Sequence, residues 1–232
     1  MKNYLIIGGS SGIGQALCQS LAAAGHQVFA TYNQHPVEHS TPGIKYSSMN
    51  VLEDDLSFDF LPEQLDGVAY CPGSINLKPF HRLSPAAFES DFQLQVVGAV
   101  KVLQGVLPRL KAADHPSVVL FSTVAVQLGF NFHAQVATSK GAIEGLTRSL
   151  AAEWAPTIRV NAVAPSLTDT PLAAKLLSTE DKKEANAQRH PLKKIGSADD
   201  VASMAAFLLS DQAMWMTGQV LHVDGGMSSV KG

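Results

Sequence analysis

Short, almost continuously apolar runs recur along the chain: Tyr4–Ile7, Gln27–Thr31, Gly67–Cys71, Ser117–Ser122, Arg159–Ala164 and Gln219–Val223. Each is four to six residues long and rich in β-branched or aromatic side chains. A strand covered on both faces has this pattern. Longer stretches with helical spacing separate the runs, at Gly12–Ala24, Pro85–Lys111, Ala134–Ala155 and Ala198–Leu209. Strict strand-then-helix alternation predicts an α/β fold, a doubly wound parallel sheet with helices on both sides. Ile44–Ser48 is expected as a third strand, mostly polar.

No internal repeat, low-complexity tract or linker-like shift interrupts this order, so residues 1–232 are expected to form one domain. Between Asn50 and Gly67, Leu61-Pro62 breaks any helix, and that crossover is expected to shrink to a turn. Ser178–Lys194 is the most polar stretch and precedes the last helix. It is either a solvated helix and loop or a mobile lid, since it follows the carboxyl end of a strand, where such sheets bind ligands.

Composition narrows the partners rather than the fold. The hydrophobic share is 46%, the charged share 16% and the net charge −3, which leaves nucleic acid out as a partner. No apolar run approaches the ~18 residues that span a bilayer, and with Leu5-Ile6-Ile7 so near Met1 no signal peptide is expected. Cys18 and Cys71 fall in different elements without a C-x-x-C spacing and are expected as free buried thiols of a cytoplasmic protein. Apart from His133, the histidines (His26, His35, His39, His81, His115, His190 and His222) lack ligand spacing, so no metal is expected.

The segment Leu5-Ile6-Ile7-Gly8-Gly9-Ser10-Ser11-Gly12-Ile13-Gly14 carries the sharpest chemical signal. A strand enters a glycine-rich turn that opens a helix. Gly8 allows the turn, Gly12 lets backbone approach a pyrophosphate, and Gly14 permits close helix–strand packing. The helix N-terminus offers unpaired N–H groups and partial positive charge to the anion, and Ser10 and Ser11 add hydroxyl donors. A P-loop needs Lys after the glycine, where Gln15 stands. The hydrolase pattern G-x-S-x-G also fits, but on a first strand no upstream loop supplies the second oxyanion donor. A turn that binds nothing explains less of the pattern than a Rossmann-type dinucleotide site does.

The glycine spacing is G-x-x-x-G-x-G and resembles that of the short-chain dehydrogenase/reductase family. The likeness extends through Cys71-Pro72-Gly73, Ser139–Glu153, Ile158–Pro165, Thr217-Gly218-Gln219 and Val223–Gly226. By that resemblance Gly8, Ser10, Ser11, Gly12, Ile13 and Gly14 would hold the pyrophosphate. Asn50 and Val51 would lie by the adenine, and Pro72 and Gly73 beside the adenosine ribose. Lys140 would grip the nicotinamide ribose, while Pro165, Leu167 and Thr170 would line the carboxamide. At the end of the second strand stands Thr31-Tyr32-Asn33, neither acidic nor basic. Without a carboxylate to repel a 2′-phosphate, NADP is favoured over NAD, with Asn33 as a donor. The resemblance also implies a small-molecule substrate and a homodimer or homotetramer built on the long helices. Small residues such as Ala151 and Ala152, expected to be exposed, suit close helix packing, and they would equally suit a buried helix.

The catalytic positions depart from that family. Its tyrosine belongs four residues before Lys140, one turn away on the same face, and Val136 stands there. The supporting serine corresponds to Thr123 and the helix asparagine to Gln95. General acid catalysis contributes ~10²–10⁴ in rate, so another group must supply the proton if the chain is an enzyme. His133, seven residues before Lys140, and Thr123 are the candidates; His133 also reads as a surface residue at a helix entrance. Two functions follow: an NAD(P)-dependent oxidoreductase of altered mechanism acting on a small carbonyl or alcohol, or a catalytically silent nucleotide-binding protein.

Overall fold

The computed structural model describes residues 1–34, 36–37 and 41–230; His35 and His39 lie outside them. The chain runs β1 (Asn3–Ile7), α1 (Gly12–Ala23), β2 (Gln27–Tyr32), β3 (Ile44–Ser48), β4 (Gly67–Tyr70) and α2 (Pro85–Phe92). It continues through a π-helical turn (Gln93–Val97) into α3 (Gly98–Lys111), β5 (Ser117–Phe121), α4 (Ala125–Leu128) and α5 (Ala134–Trp154). The remainder is β6 (Arg159–Pro165), β7 (Thr168–Asp169), α6 (Glu180–Ala187), β8 (Gly196–Ser197), α7 (Ala198–Leu209) and β9 (Val220–Val223). Seven strands form one parallel sheet in the order β3-β2-β1-β4-β5-β6-β9. The order reverses between β1 and β4, the switch point where such sheets bind ligands.

Alternation along β1 explains why its sequence is apolar throughout. Leu5 and Ile7 enter a core with Val102, Val106 and Ile143 from α3 and α5. Tyr4 and Ile6 enter the opposite core with Leu17 and Leu208 from α1 and α7. Each such side chain is worth ~1.5–3 kcal/mol when fully buried. Both faces are therefore closed, as the strand pattern predicts.

Three expectations need correction. The helix expected over Pro85–Lys111 is interrupted by the π-helical turn, because the hydroxyl of Tyr70 donates to the Leu94 carbonyl at 2.6 Å. Cys18 is buried, but Cys71 is only half-buried, since it faces the cleft described below. Ala151 is packed into the core against Gly218, so it belongs to no exposed helix face. The segment between β3 and β4 carries no helix, as expected from Leu61-Pro62. Within Ser178–Lys194 the polar helix α6 forms, and Thr179 caps it by accepting from Lys182 N–H.

Candidate active site

A cleft of about 400 Å³ runs along the carboxyl ends of β1, β2 and β4. Gly8, Ser10, Ser11, Gly12, Ile13, Gly14, Asn33, Val51, Pro72, Gly73 and Thr170 all line it, so eleven of the expected cofactor residues converge. A β-carbon on Gly14 would fall 2.2 Å from the Gly8 carbonyl oxygen, so only glycine lets α1 start this close to β1. Gly12 has φ +52°, which turns the backbone into the helix. Ser11 occupies the N-cap of α1 without a side-chain capping bond, which leaves its hydroxyl to an incoming group. Bare helix amides, a close glycine approach and a spare hydroxyl fit a pyrophosphate. Asn50 does not line the cleft; its Oδ1 accepts from Leu52 N–H at 3.2 Å.

Thr31 escaped the sequence reading. It is buried at the end of β2, accepts from Gly8 N–H on Oγ1 at 3.1 Å, and from Gly9 N–H on its carbonyl at 2.9 Å. Thr31 therefore holds the phosphate loop in place. Its place directly before Tyr32-Asn33 was the available signal.

The cleft opens into a second cavity of about 280 Å³, with Ile13, Cys71, Gly73, Thr170 and Leu172 as shared walls. Gln95, Thr123, His133, Val136 and Lys140 all line it, together with Pro165 and Leu167. Pro165 and Leu167 thus line this second cavity and not the glycine cleft. Lys140 lies one helical turn after Val136 on α5, and burial draws its amine down to about 8, against the opposing pull of Asp91 and Cys71. The Cys71 thiol is pushed up to about 12 by burial, with Lys140 pulling it back. Thr123 Oγ1 accepts from Ala125 N–H at 3.3 Å, which leaves its O–H as a donor. His133 precedes α5, donates from Nδ1 to the Asn131 carbonyl at 2.8 Å, and packs edge-on against Phe130.

Beneath the cavity lies a polar cluster that the sequence reading missed. Asp91 is buried on α2 and accepts from Gln95 Nε2 at 2.8 Å, from Ser139 Oγ at 2.5 Å and from Ser74 Oγ. Asp91 precedes Gln95 by one turn on the same face, the spacing that could have exposed it. Across the cavity, His190 is buried, donates from Nδ1 to the Asn186 carbonyl at 3.0 Å, and pairs through Nε2 with Ser166 Oγ at 2.8 Å. Arg189 stands over the Phe130 ring at 5.6 Å and joins the loop before α5 to the end of α6. The polar segment around α6 is thus solvated on its outer side and roofs the cavity with Asn186, Arg189 and His190. Among the described residues, no group of three or more His, Cys, Asp or Glu is placed to hold a metal. No helix there is long and apolar enough to cross a membrane.

A parallel sheet with a glycine loop at its switch point and a lysine-bearing cavity beside it defines a dinucleotide-binding α/β protein. Residues 8–228 match the model of the family described as enoyl-(acyl carrier protein) reductase. A tropinone reductase homolog of Arabidopsis thaliana is 32% identical over 240 residues, covering 97% of this chain and 78% of the relative. L-xylulose reductase of Bos taurus is 30% identical over 237 residues, covering 97% and 96%. The ligand-free aldohexose dehydrogenase of Thermoplasma acidophilum superposes with a TM-score of 0.92 at 27% identity, over 99% of this chain and 95% of that one. The chain belongs to the short-chain dehydrogenase/reductase family of oxidoreductases.

Proposed function

We propose that the protein is an NAD(P)-dependent reductase of small carbonyl compounds, working in reverse on the matching alcohols. The observation that carries this reading is the continuity of the two chambers: the glycine cleft opens onto Lys140, Thr123 and Gln95 through shared walls. A nicotinamide held there supplies or accepts a hydride. The chain's own residues do the rest. Ser11 and the first amides of α1 bind the pyrophosphate, Lys140 holds the ribose, and Thr123 orients the carbonyl oxygen by a hydrogen bond from its O–H. Ile75, Leu77, Phe130 and Leu176 give the cavity apolar walls that exclude water and suit a small, mainly apolar substrate.

NADP(H) is the cofactor we favour. The described residues lining the glycine cleft include no carboxylate to repel a 2′-phosphate, and Asn33 is exposed at its rim. Self-association fits the surface, where Met214 and Trp215 are exposed side by side, Trp215 fully. A reducing compartment such as the cytoplasm suits the free thiols of Cys18 and Cys71.

A second reading, a silent cofactor-binding protein, draws on Val136, which lines the cavity with no polar atom. Fluorescence titration with NADPH and NADH, followed by NADPH consumption across aldehydes, ketones and quinones, separates the two. Binding with turnover supports the reductase, and binding without turnover of any of them supports the silent protein. No binding of either nucleotide removes both.

A further inference from the structure

Asp91 is the only buried carboxylate among the described residues, and it lies under the catalytic cavity. Its two oxygens collect three donors, from Ser74, Gln95 and Ser139. Because Gln95 Nε2 is committed to Asp91, the amide is locked with Oε1 turned the other way. That Oε1 is buried and has no hydrogen-bond partner. An unpaired buried acceptor costs ~1–3 kcal/mol unless something donates to it.

The missing donor is close by. A β-carbon built on Gly73 would lie 3.5 Å from Gln95 Oε1 and 3.8 Å from Lys140 Nζ, so both atoms converge over one residue without a side chain. A free acceptor and a free ammonium facing the same small space seat one water. Val136, one turn from Lys140, puts no proton-bearing atom between that amine and the cavity.

We propose that Lys140 itself gives the proton to the substrate oxygen, that the Asp91 charge favours its ammonium form, and that Gln95 positions the water that returns its proton. The inference rests on the reductase reading. As hydride reaches the carbonyl carbon, the oxygen takes a proton from Lys140 Nζ, and the amine becomes neutral. A solvent proton then returns through the water held by Gln95 Oε1. Carbon would gain its C–H bond at the expense of a C–H bond of the reduced nicotinamide, which ends oxidised by two electrons; the C=O π bond opens, oxygen gains an O–H bond, and the protein ends as it began.

The ionisable groups acting on Lys140 are Asp91 on α2 and Cys71 after β4. His133 at the start of α5, and Arg189 and His190 after α6, line the same cavity. Burial depresses the amine to about 8, which suits a proton donor near neutrality. His133 stands seven residues from Lys140, about 10 Å along the helix, and leaves Asp91 and the free Gln95 oxygen unexplained.

The test begins with Lys140→Arg, which keeps the positive charge but holds its proton at any working pH. Turnover is expected to fall by ~100-fold or more, further than any change in NADPH affinity read by a parallel titration accounts for, and adding Val136→Tyr is expected to restore it by supplying a phenol. Wild-type turnover is expected to hold below about pH 8 and fall above it, and Asp91→Asn to move that fall to lower pH. Nitrogen-resolved NMR of the cofactor-free wild type and Asp91→Asn proteins reads the same amine without turnover. A Lys140 that titrates near 8 and shifts down in the variant supports the proposal, whereas an ordinary lysine titration overturns it. Full turnover in Lys140→Arg, or its loss in His133→Ala while Lys140→Arg keeps it, also overturns it and leaves the reductase standing. A wild type that binds NADPH and reduces nothing removes the reductase reading and this inference with it.

Discussion

The hydroxyl of Tyr70, at the end of β4, donates to the Leu94 carbonyl at 2.6 Å, inside the π-helical turn between α2 and α3. A π turn frees a carbonyl from its usual helical partner, and Tyr70 occupies it. The fit is close: a β-carbon on Gly98 would come within 2.4 Å of that hydroxyl. The extra residue in the turn carries Gln95 inward toward Asp91 and Gly73. Tyr70→Phe removes the donor from a part-buried carbonyl and is expected to cost ~1 kcal/mol in urea unfolding. Turnover should fall further than the remaining folded fraction explains, because Tyr70 no longer holds the turn that presents Gln95 to Asp91.

Gly14 marks the other place where the site depends on an absent side chain. Its β-carbon would stand 2.2 Å from Gly8 O and 3.0 Å from Gly8 C, both backbone atoms that cannot rotate away. Gly14→Ala must push the start of α1 off the phosphate loop. NADPH affinity is expected to fall at least ~10-fold, ~1.4 kcal/mol of binding, in a fluorescence titration. The far-ultraviolet circular dichroism should stay that of the wild type, since Leu17 and Leu21 further along α1 keep that helix packed in its core.

Much of the fold was legible because its strands are buried on both faces. Leu5 and Ile7 serve one core while Tyr4 and Ile6 serve the other, so alternation vanishes and a plain apolar run remains. The glycine loop was legible for a related reason: each glycine answers a local backbone demand that sequence spacing records. Asp91 was not legible, since its partners Ser74 and Ser139 come from 17 and 48 residues away. A single Asp on a helix looks solvated until tertiary packing closes over it. The π turn was hidden as well, because its cause is the Tyr70 hydroxyl on a distant strand. His190 and Arg189 sat in a stretch whose polarity described only its outer face.

Val136 offers the most direct gain-of-function experiment. It lines the catalytic cavity one turn before Lys140, and its side chain is nearly buried against α5's neighbours. A phenol there would meet the Lys140 ammonium, which favours the phenolate and brings its proton exchange toward neutral pH. Val136→Tyr is expected to raise carbonyl reduction by ~10-fold or more at pH 7, with NADPH affinity unchanged. A variant that binds the cofactor and shows no gain would mean that Thr123 and Lys140 no longer face a common substrate oxygen.

The start of α7 sets an acid limit on stability. Ser197 caps the helix by accepting from Asp200 N–H at 3.1 Å, and Asp200 Oδ2 accepts in return from Ser197 N–H at 2.8 Å and Ser197 Oγ at 2.9 Å. Those Ser197 hydrogen bonds, backbone first, hold the Asp200 carboxyl below its ordinary range, with Lys194 assisting. The direction of the effect follows from the depressed value. The unfolded chain binds this proton more readily, so the stabilisation is complete above the ordinary aspartate pKa of ~3.9 and disappears as pH falls through the lower folded value. Ser197→Ala should lose ~1 kcal/mol in urea at pH 7, because Leu208 and Leu209 on the same helix anchor one of the two cores. Asp200→Asn should lose stability at pH 7 but lose less than the wild type on acidification, so their unfolding midpoints should converge as pH falls below the ordinary aspartate pKa of ~3.9 and through the lower folded value.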